Sequence, residues 1–289
     1  MKKFLVFGSS GYIGEEFVKQ LHQSDGVVVC APSFKTYKTQ SDVVKLIRSI
    51  NPTHVYNAAG YTGKPNVDAA EKEKDKCYFG NVLFPLWIAE ATSSIKVPFA
   101  HVSSGCIYNG YNKNYTEEDP ADFSFKQNNC SFYSGTKAQA EELLKAYDNT
   151  YILRLRIPFN TENSPRNYLT KLLNYDTILN LDNSISQKEE FVSKCIQVVN
   201  KDLEKGIYNL TNEGFVNAEF VLNLFKKHHP SLIDKIQSKK FFSSIEEFMT
   251  VAAAPRSNCI LDTTKSKLCG VGMRDAREVV EECVQYYEL

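Results

Sequence analysis

Nowhere do the 289 residues run for the roughly 18 consecutive apolar positions that a helical bilayer span requires. The opening MKKFLVFGSSGYIG has two lysines and a short apolar run, but Gly8, Ser9, Ser10 and Gly11 break it where a signal peptide would continue. A soluble, cytoplasmic protein with no membrane partner is expected. Net charge is also missing: lysine plus arginine and aspartate plus glutamate number 34 each, so no global field favours nucleic acid. Any anionic ligand must therefore be held by local groups. The eight cysteines form no CxxC pair and no zinc-type spacing, which argues against a metal site and a disulfide framework. Reduced thiols, mostly in cores, are the expectation. Repeats and low-complexity linkers are absent too.

What is present is alternation. Apolar runs at 3–7, 26–30, 54–57, 97–103 and 151–156 predict strands, and periodic segments at 12–24, 41–50, 66–76, 78–95 and 132–147 predict helices. Repeated strand–helix alternation implies an α/β fold, a Rossmann-type doubly wound parallel sheet. After about residue 160 the pattern becomes turn-rich and mixed, with GIYNLTN at 206–212 as a late strand. This predicts a dinucleotide-binding domain over 1–160 and a smaller mixed α/β substrate region over 161–289 packed against it, free to return strands or helices to the first. The cleft between them is the expected ligand site.

GSSGYIG at 8–14 follows the first strand and opens a helix. Gly8 suits the tight turn, Gly11 a close approach of backbone to a pyrophosphate, and Gly14 the packing of helix on strand. Ser10, Tyr12 and Ile13 share that turn, and the helix N-terminus offers free N–H groups to an anion. The second strand ends VVVCAPSFK with no acid for a ribose hydroxyl, which favours NADPH over the alternative NADH. Ser33 and Lys35 then become candidates for a 2′-phosphate, although a surface lysine in a loop explains Lys35 nearly as well.

YSGTK sets Tyr133 and Lys137 at i and i+4 on one helix face, where an ammonium and a nicotinamide cation would lower the phenol pKa. Upstream lies VSSGCIY. The glycine turn, NAAG at 57–60, the strand-end serine and YxxxK stand in the order of the extended short-chain dehydrogenases/reductases, which the chain resembles over nearly its whole length. The resemblance implies Ser104, Tyr133 and Lys137 as catalytic, with Asn81 supporting the lysine through water. It also sets Ala58, Ala59 and Gly60 beside the cofactor, with Tyr133 and Lys137 touching it as well.

NPTHVYNAAGYTGKPNVDAAE, SSGCIYN, FYSGTKAQAEELLKAYDN, SPRNYLTK and APRSNCILDTTK resemble the epimerase/reductases of UDP-rhamnose synthesis, which act on UDP-4-keto-6-deoxy-glucose. A relative in GDP-fucose synthesis carries a cysteine two residues after its catalytic serine, here Cys106. The resemblance makes Cys106 and Lys171 the acid/base pair for epimerisation at C3 and C5. Which is base at which carbon stays open, and a small buried thiol remains the alternative for Cys106. Gly105, between them, is expected where a substrate approaches. Arg256 is the first candidate for the diphosphate and Arg166 the second. Thr62, Lys64 and Asn66, in the loop YTGKPN, together with Asn160 and Asn167, complete the expected substrate side, although a plain polar loop is the simpler account of the first three. The implied activity is NADPH-dependent 3,5-epimerisation and 4-reduction by a homodimer with no nucleic-acid partner. UDP against dTDP is open, and a 4-reductase alone or a non-catalytic dinucleotide sensor are the rivals.

Overall fold

A computed structural model describes residues 2–64 and 66–289. Pro65, inside the YTGKPN loop, lies outside the described residues. Six strands form one sheet: β1 (Lys2–Phe7), β2 (Val27–Cys30), β3 (His54–Asn57), β4 (Phe99–Ser104), β5 (Thr150–Leu155) and β6 (Gly206–Asn209). They lie in the order β6-β5-β4-β3-β1-β2, every pair parallel. The apolar runs in the sequence reflect burial on both faces, as a parallel sheet demands. Successive residues of β1 point to opposite sides, so Phe4 and Val6 enter one core and Leu5 and Phe7 the other.

The first core is roofed by helices α1 (Gly14–His22) and α6 (Lys188–Asn200), through Phe17, Leu21, Phe191 and Val192. The second is roofed by α2 (Gln40–Ile50), α3 (Phe84–Ser94) and α4 (Phe132–Leu144), through Val43, Ile47, Ile88 and Leu144. Each such buried aliphatic or aromatic side chain contributes about 1.5–3 kcal/mol before entropy is counted. A third core joins Phe159 to α5 (Tyr168–Asn174), α7 (Ala218–His228) and α8 (Ala276–Gln285). Elements beyond residue 160 therefore return to the first layer, which α6 and β6 complete.

Two expected helices differ in detail. The segment expected over 66–76 breaks into Ala69–Lys72 and Lys74–Tyr78 at Glu73, whose φ of −117° and ψ of 47° are not helical. The segment expected over 78–95 starts with a π-turn at Phe79–Leu83. Pro85 at the head of α3 has no N–H to give the carbonyl of Asn81, so the i to i−4 pattern cannot hold there.

The strand order reverses at β1 and β3, and their C-terminal ends meet. A Cβ on Gly8 would lie 2.4 Å from Ala59 N, and Gly8 itself has a φ of +76°. A Cβ on Gly14 would sit 1.9 Å from Gly8 O, so helix and turn touch backbone to backbone. Gly14→Ala is accordingly expected to cost about 1–3 kcal/mol by overpacking. Thermal unfolding of the purified variant checks this, and an unchanged midpoint would contradict it.

Candidate active site

The glycine turn has the shape an anion site needs. Gly8 and Gly14 are closed in by the protein's own backbone, whereas a Cβ on Gly11 would meet only Gly8 O, at 3.3 Å. Gly11 and Ser10 are exposed, and the N-terminus of α1 has no side-chain cap; Glu15 N donates to Gly11 O at 2.9 Å, so the turn and the helix start are joined through backbone alone. These features fit a cofactor pyrophosphate. Ser33 and Lys35 are exposed just past the end of β2, with the Ser33 hydroxyl accepting from Lys35 N at 3.4 Å. Tyr12 and Ile13 are half-buried, and the Tyr12 hydroxyl donates to Asn160 Oδ1 at 2.7 Å.

Ser104 ends β4, and Tyr133 and Lys137 share α4, whose first turn is capped by the Ser131 hydroxyl. Lys137 is buried, donating from Nζ to Val102 O at 3.3 Å, and a Cβ on Gly60 would come 3.6 Å from that nitrogen. Burial lowers the Lys137 pKa, against the opposing pull of Cys106, Glu141 and Cys77. Asn81 projects from the π-turn, fully buried; its Oδ1 accepts from Tyr61 N at 2.8 Å, and its Nδ2 donates to Tyr61 O and Thr136 Oγ1.

The expected lowering of the Tyr133 phenol is not what the chain's own groups produce. Burial pushes it well up, followed by Cys106 and Cys77, while the Ser104 hydroxyl and the Arg166 charge oppose. Cys106 is half-buried, and its thiol is also pushed up, first by burial; the Ser104 and Ser134 hydroxyls, Arg156 and Lys137 pull the other way. Serine, cysteine, tyrosine and lysine therefore form one electrostatic cluster.

Gly105 serves packing rather than access: a Cβ there would lie 2.7 Å from Leu261 Cδ1. The strand Cys259–Leu261 pairs with Gly110–Tyr115, and Cys259 Sγ lies 3.4 Å from Gly105 O. The turn that carries Cys106 is thus clamped from behind.

The two arginines are held differently. Arg256 faces Asp68 Oδ1 at 2.8 Å and donates to Ala254 O, so its charge is already matched. Arg166 donates to Thr62 Oγ1 at 2.6 Å and Gly63 O at 3.0 Å, and its charge reaches Tyr61, Tyr133 and Lys171. It ties the substrate region to the cleft. Lys171, on α5, has its pKa lowered by burial and then by Arg166, the direction an acid usable near neutrality needs. Lys64 is exposed, and Asn66 Oδ1 accepts from Asp68 N at 2.9 Å.

Asn160 and Asn167, expected on the substrate side, are buried and bonded inward. Asn167 caps α5 and donates to Asn160 O and Glu162 O, while Asn160 donates to Glu189. Their visible work is to fix the loop that carries Arg166.

Several residues beside the site were not singled out in the sequence. Glu141, one turn beyond Lys137, takes hydrogen bonds from Ser103 at 2.5 Å and from Arg154 Nη2 at 2.7 Å. His101, also not singled out, contacts Asn57 of the NAAG stretch at 3.1 Å in the core. The string LRLR, with charges at 154 and 156 inside an otherwise apolar strand, is the signal that could have found the arginines, since buried charge must be partnered. Among the described residues, no group of three or more His, Cys, Asp or Glu could hold a metal ion, and no helix is long and apolar enough to cross a membrane.

The arrangement can orient a carbonyl between Ser104 and Tyr133 and exchange protons beside it. Comparison with known proteins agrees with that chemistry. The RmlD substrate binding domain family matches residues 1–289. A bifunctional dTDP-4-dehydrorhamnose 3,5-epimerase/dTDP-4-dehydrorhamnose reductase of Arabidopsis thaliana is 35% identical over 272 residues, covering 91% of this chain and 86% of that protein. A trifunctional UDP-glucose 4,6-dehydratase/UDP-4-keto-6-deoxy-D-glucose 3,5-epimerase/UDP-4-keto-L-rhamnose-reductase of the same plant is 33% identical over 273 residues, 92% of this chain but 39% of that protein. A solved structure of a UDP-rhamnose synthase from Acanthamoeba polyphaga mimivirus superposes with a TM-score of 0.88 at 27% identity, covering 98% of this chain and 99% of that one. With the whole chain matched and the glycine turn, strand-end serine and YxxxK in register with the fold, the protein belongs to the RmlD substrate-binding-domain family.

Proposed function

We propose that the protein is an NADPH-dependent bifunctional enzyme that epimerises UDP-4-keto-6-deoxy-D-glucose at C3 and C5 and reduces C4, giving UDP-L-rhamnose. The observation that carries this reading is the electrostatic cluster of Ser104, Cys106, Tyr133 and Lys137 at one strand end, with the Arg166 charge acting on both Tyr133 and Lys171. The relatives named above, which carry both activities, support the same assignment.

The turn at Gly8–Gly14 and the N-terminus of α1, which has no side-chain cap, would hold the cofactor diphosphate, Ala58–Gly60 would border its ribose, and Ser33 and Lys35 would meet a 2′-phosphate. When bound, NADPH supplies the hydride for C4. Ser104 and Tyr133 would hydrogen-bond the C4 oxygen and stabilise the enolate formed when a neighbouring C–H proton leaves. In one epimerisation step the Cys106 thiolate takes that proton, the C–H electron pair becomes the enolate, and the thiol later releases the proton to solvent. Lys171 Nζ then returns a proton to the opposite face of the same carbon and recovers one from solvent. In the reduction Tyr133 gives its hydroxyl proton to the C4 oxygen, and Lys137 lowers the cost of the phenolate left behind. Arg166, whose partners Thr62 and Gly63 are neutral, keeps an unmatched charge for the sugar diphosphate, whereas the charge of Arg256 is met by Asp68.

The test is loss of reduced-nicotinamide absorbance when purified protein and NADPH receive UDP-4-keto-6-deoxy-glucose, with the dTDP sugar as competitor. Consumption that depends on the keto sugar is expected. Cofactor binding without any oxidation would instead favour a non-catalytic dinucleotide sensor.

A further inference from the structure

Arg156 is 3% exposed, and its bonds go to neutral acceptors: Nε and Nη2 to Asn183 Oδ1, Nη1 to Ser257 Oγ at 3.1 Å and Nη2 to Ser257 O at 2.7 Å. No carboxylate within 4.0 Å pairs with it among the described residues. Its neighbour in the same strand run, Arg154, is instead matched by Glu141 at 2.7 Å. A buried guanidinium without a counter-ion is costly, so its retention calls for an anion that appears when the protein works.

The geometry names that anion. Ser257, which holds the guanidinium, donates from its hydroxyl to Tyr108 O. Two residues on, Cys259 meets Gly105 O at 3.4 Å. Arg156 is thus linked through Ser257 to Tyr108 O, just after the short turn Gly105–Ile107, and through Asn183, which accepts from Cys259 N at 3.1 Å, to the residue that meets Gly105 O; the middle residue of that turn is Cys106. We propose that Arg156 is a positioning residue for epimerisation, a fixed positive charge behind the Ser104–Tyr108 turn that stabilises the Cys106 thiolate. This rests on the proton-transfer role given to Cys106 above.

The groups that face the thiol support the sign. Tyr133 and Lys137 approach from α4, Cys130 from the preceding loop, Cys259 from the strand behind, and Arg156 from beyond it. Tyr133, Cys130 and Cys259 are all held neutral by burial, so the positive charges acting on Cys106 are Arg156 and Lys137. Lys137 is committed to the reduction and is itself pulled toward neutrality by burial. The cation that stays charged at every working pH is the arginine.

The experiment follows Cys106 alkylation by iodoacetamide against pH, resolved by peptide mass spectrometry, in wild type, Arg156→Gln and Arg156→Lys. The same proteins are assayed for solvent-deuterium exchange into the keto sugar and for reduction of an already epimerised ketone. Arg156→Gln is expected to move the alkylation midpoint to higher pH and to slow alkylation at pH 7 and deuterium exchange by about tenfold or more. Reduction stays within about threefold of wild type, and Arg156→Lys restores most of both losses. An unmoved midpoint in Arg156→Gln overturns the proposal, as does a raised KM with the midpoint unmoved, which would make Arg156 a substrate-binding cation. A shifted midpoint with deuterium exchange intact upholds the electrostatic link but overturns the role of Cys106, so the two failures are distinguishable. Should Arg156→Gln fail to fold, Ser257→Ala loosens the same guanidinium, and an unchanged midpoint there counts against the proposal.

Discussion

Cys106→Ala is expected to lower deuterium incorporation at C3 and C5 of the keto sugar by about 10²–10⁴-fold, the usual contribution of a positioned acid/base. Reduction of a ketone already epimerised should change by less than about threefold, because Ser104, Tyr133 and Lys137 remain. The substitution removes one small half-buried side chain, so folding is not the issue. The split arises because one oxygen-binding site serves both reactions while the thiol serves one. The thiol is pushed up by burial and eased down by Ser104, Ser134, Arg156 and Lys137, so the thiolate fraction grows as pH rises. Exchange should therefore climb with pH through the thiol titration in wild type and lose that limb in Cys106→Ala. Full exchange in the variant would remove Cys106 from the mechanism and leave Lys171 with another partner.

Glu141→Ala is expected to destabilise the fold by about 3–5 kcal/mol, the cost of leaving a buried charge alone. Arg154 and Glu141 are 1% and 3% exposed and meet through Nε and Nη2, with Ser103 donating to the same carboxylate. Removing Glu141 strands both donors between β4 and α4. Because Ser104 follows Ser103 and Glu141 lies one turn from Lys137, the variant should also blunt reduction at temperatures where it remains folded. Denaturant unfolding measures the loss. A change below about 1 kcal/mol would mean that water or another acceptor replaces the carboxylate.

Much of this was legible in the sequence where the signal is local. The runs KFLVF, HVYN and YILRLR became inner sheet strands because burial on both faces demands continuous apolar stretches, and GVVVC became the half-buried edge strand. The glycine turn was legible because its constraint is steric and short in range. Elements set by distant partners were not. Whether the charge of Arg166 or Arg256 is matched by a carboxylate depended on Asp68 and Thr62, far away in sequence. The inward roles of Asn160 and Asn167 depended on each other and on Glu162 and Glu189. Cysteine and serine at 106 and 104 could be paired from the motif, but Ser257 and Cys259, which link the turn behind them to Arg156, come about 150 positions later. The direction of the Tyr133 shift likewise needed burial, which spacing does not reveal.

The central claim is that one site both inverts and reduces the sugar. Incubating the wild-type chain with NADPH and UDP-4-keto-6-deoxy-D-glucose in deuterated water, then assigning the product by NMR, tests it most directly. The account predicts UDP-L-rhamnose carrying deuterium at both C3 and C5. A reduced product that keeps the original configuration and protium at those carbons would contradict it and leave a 4-reductase alone.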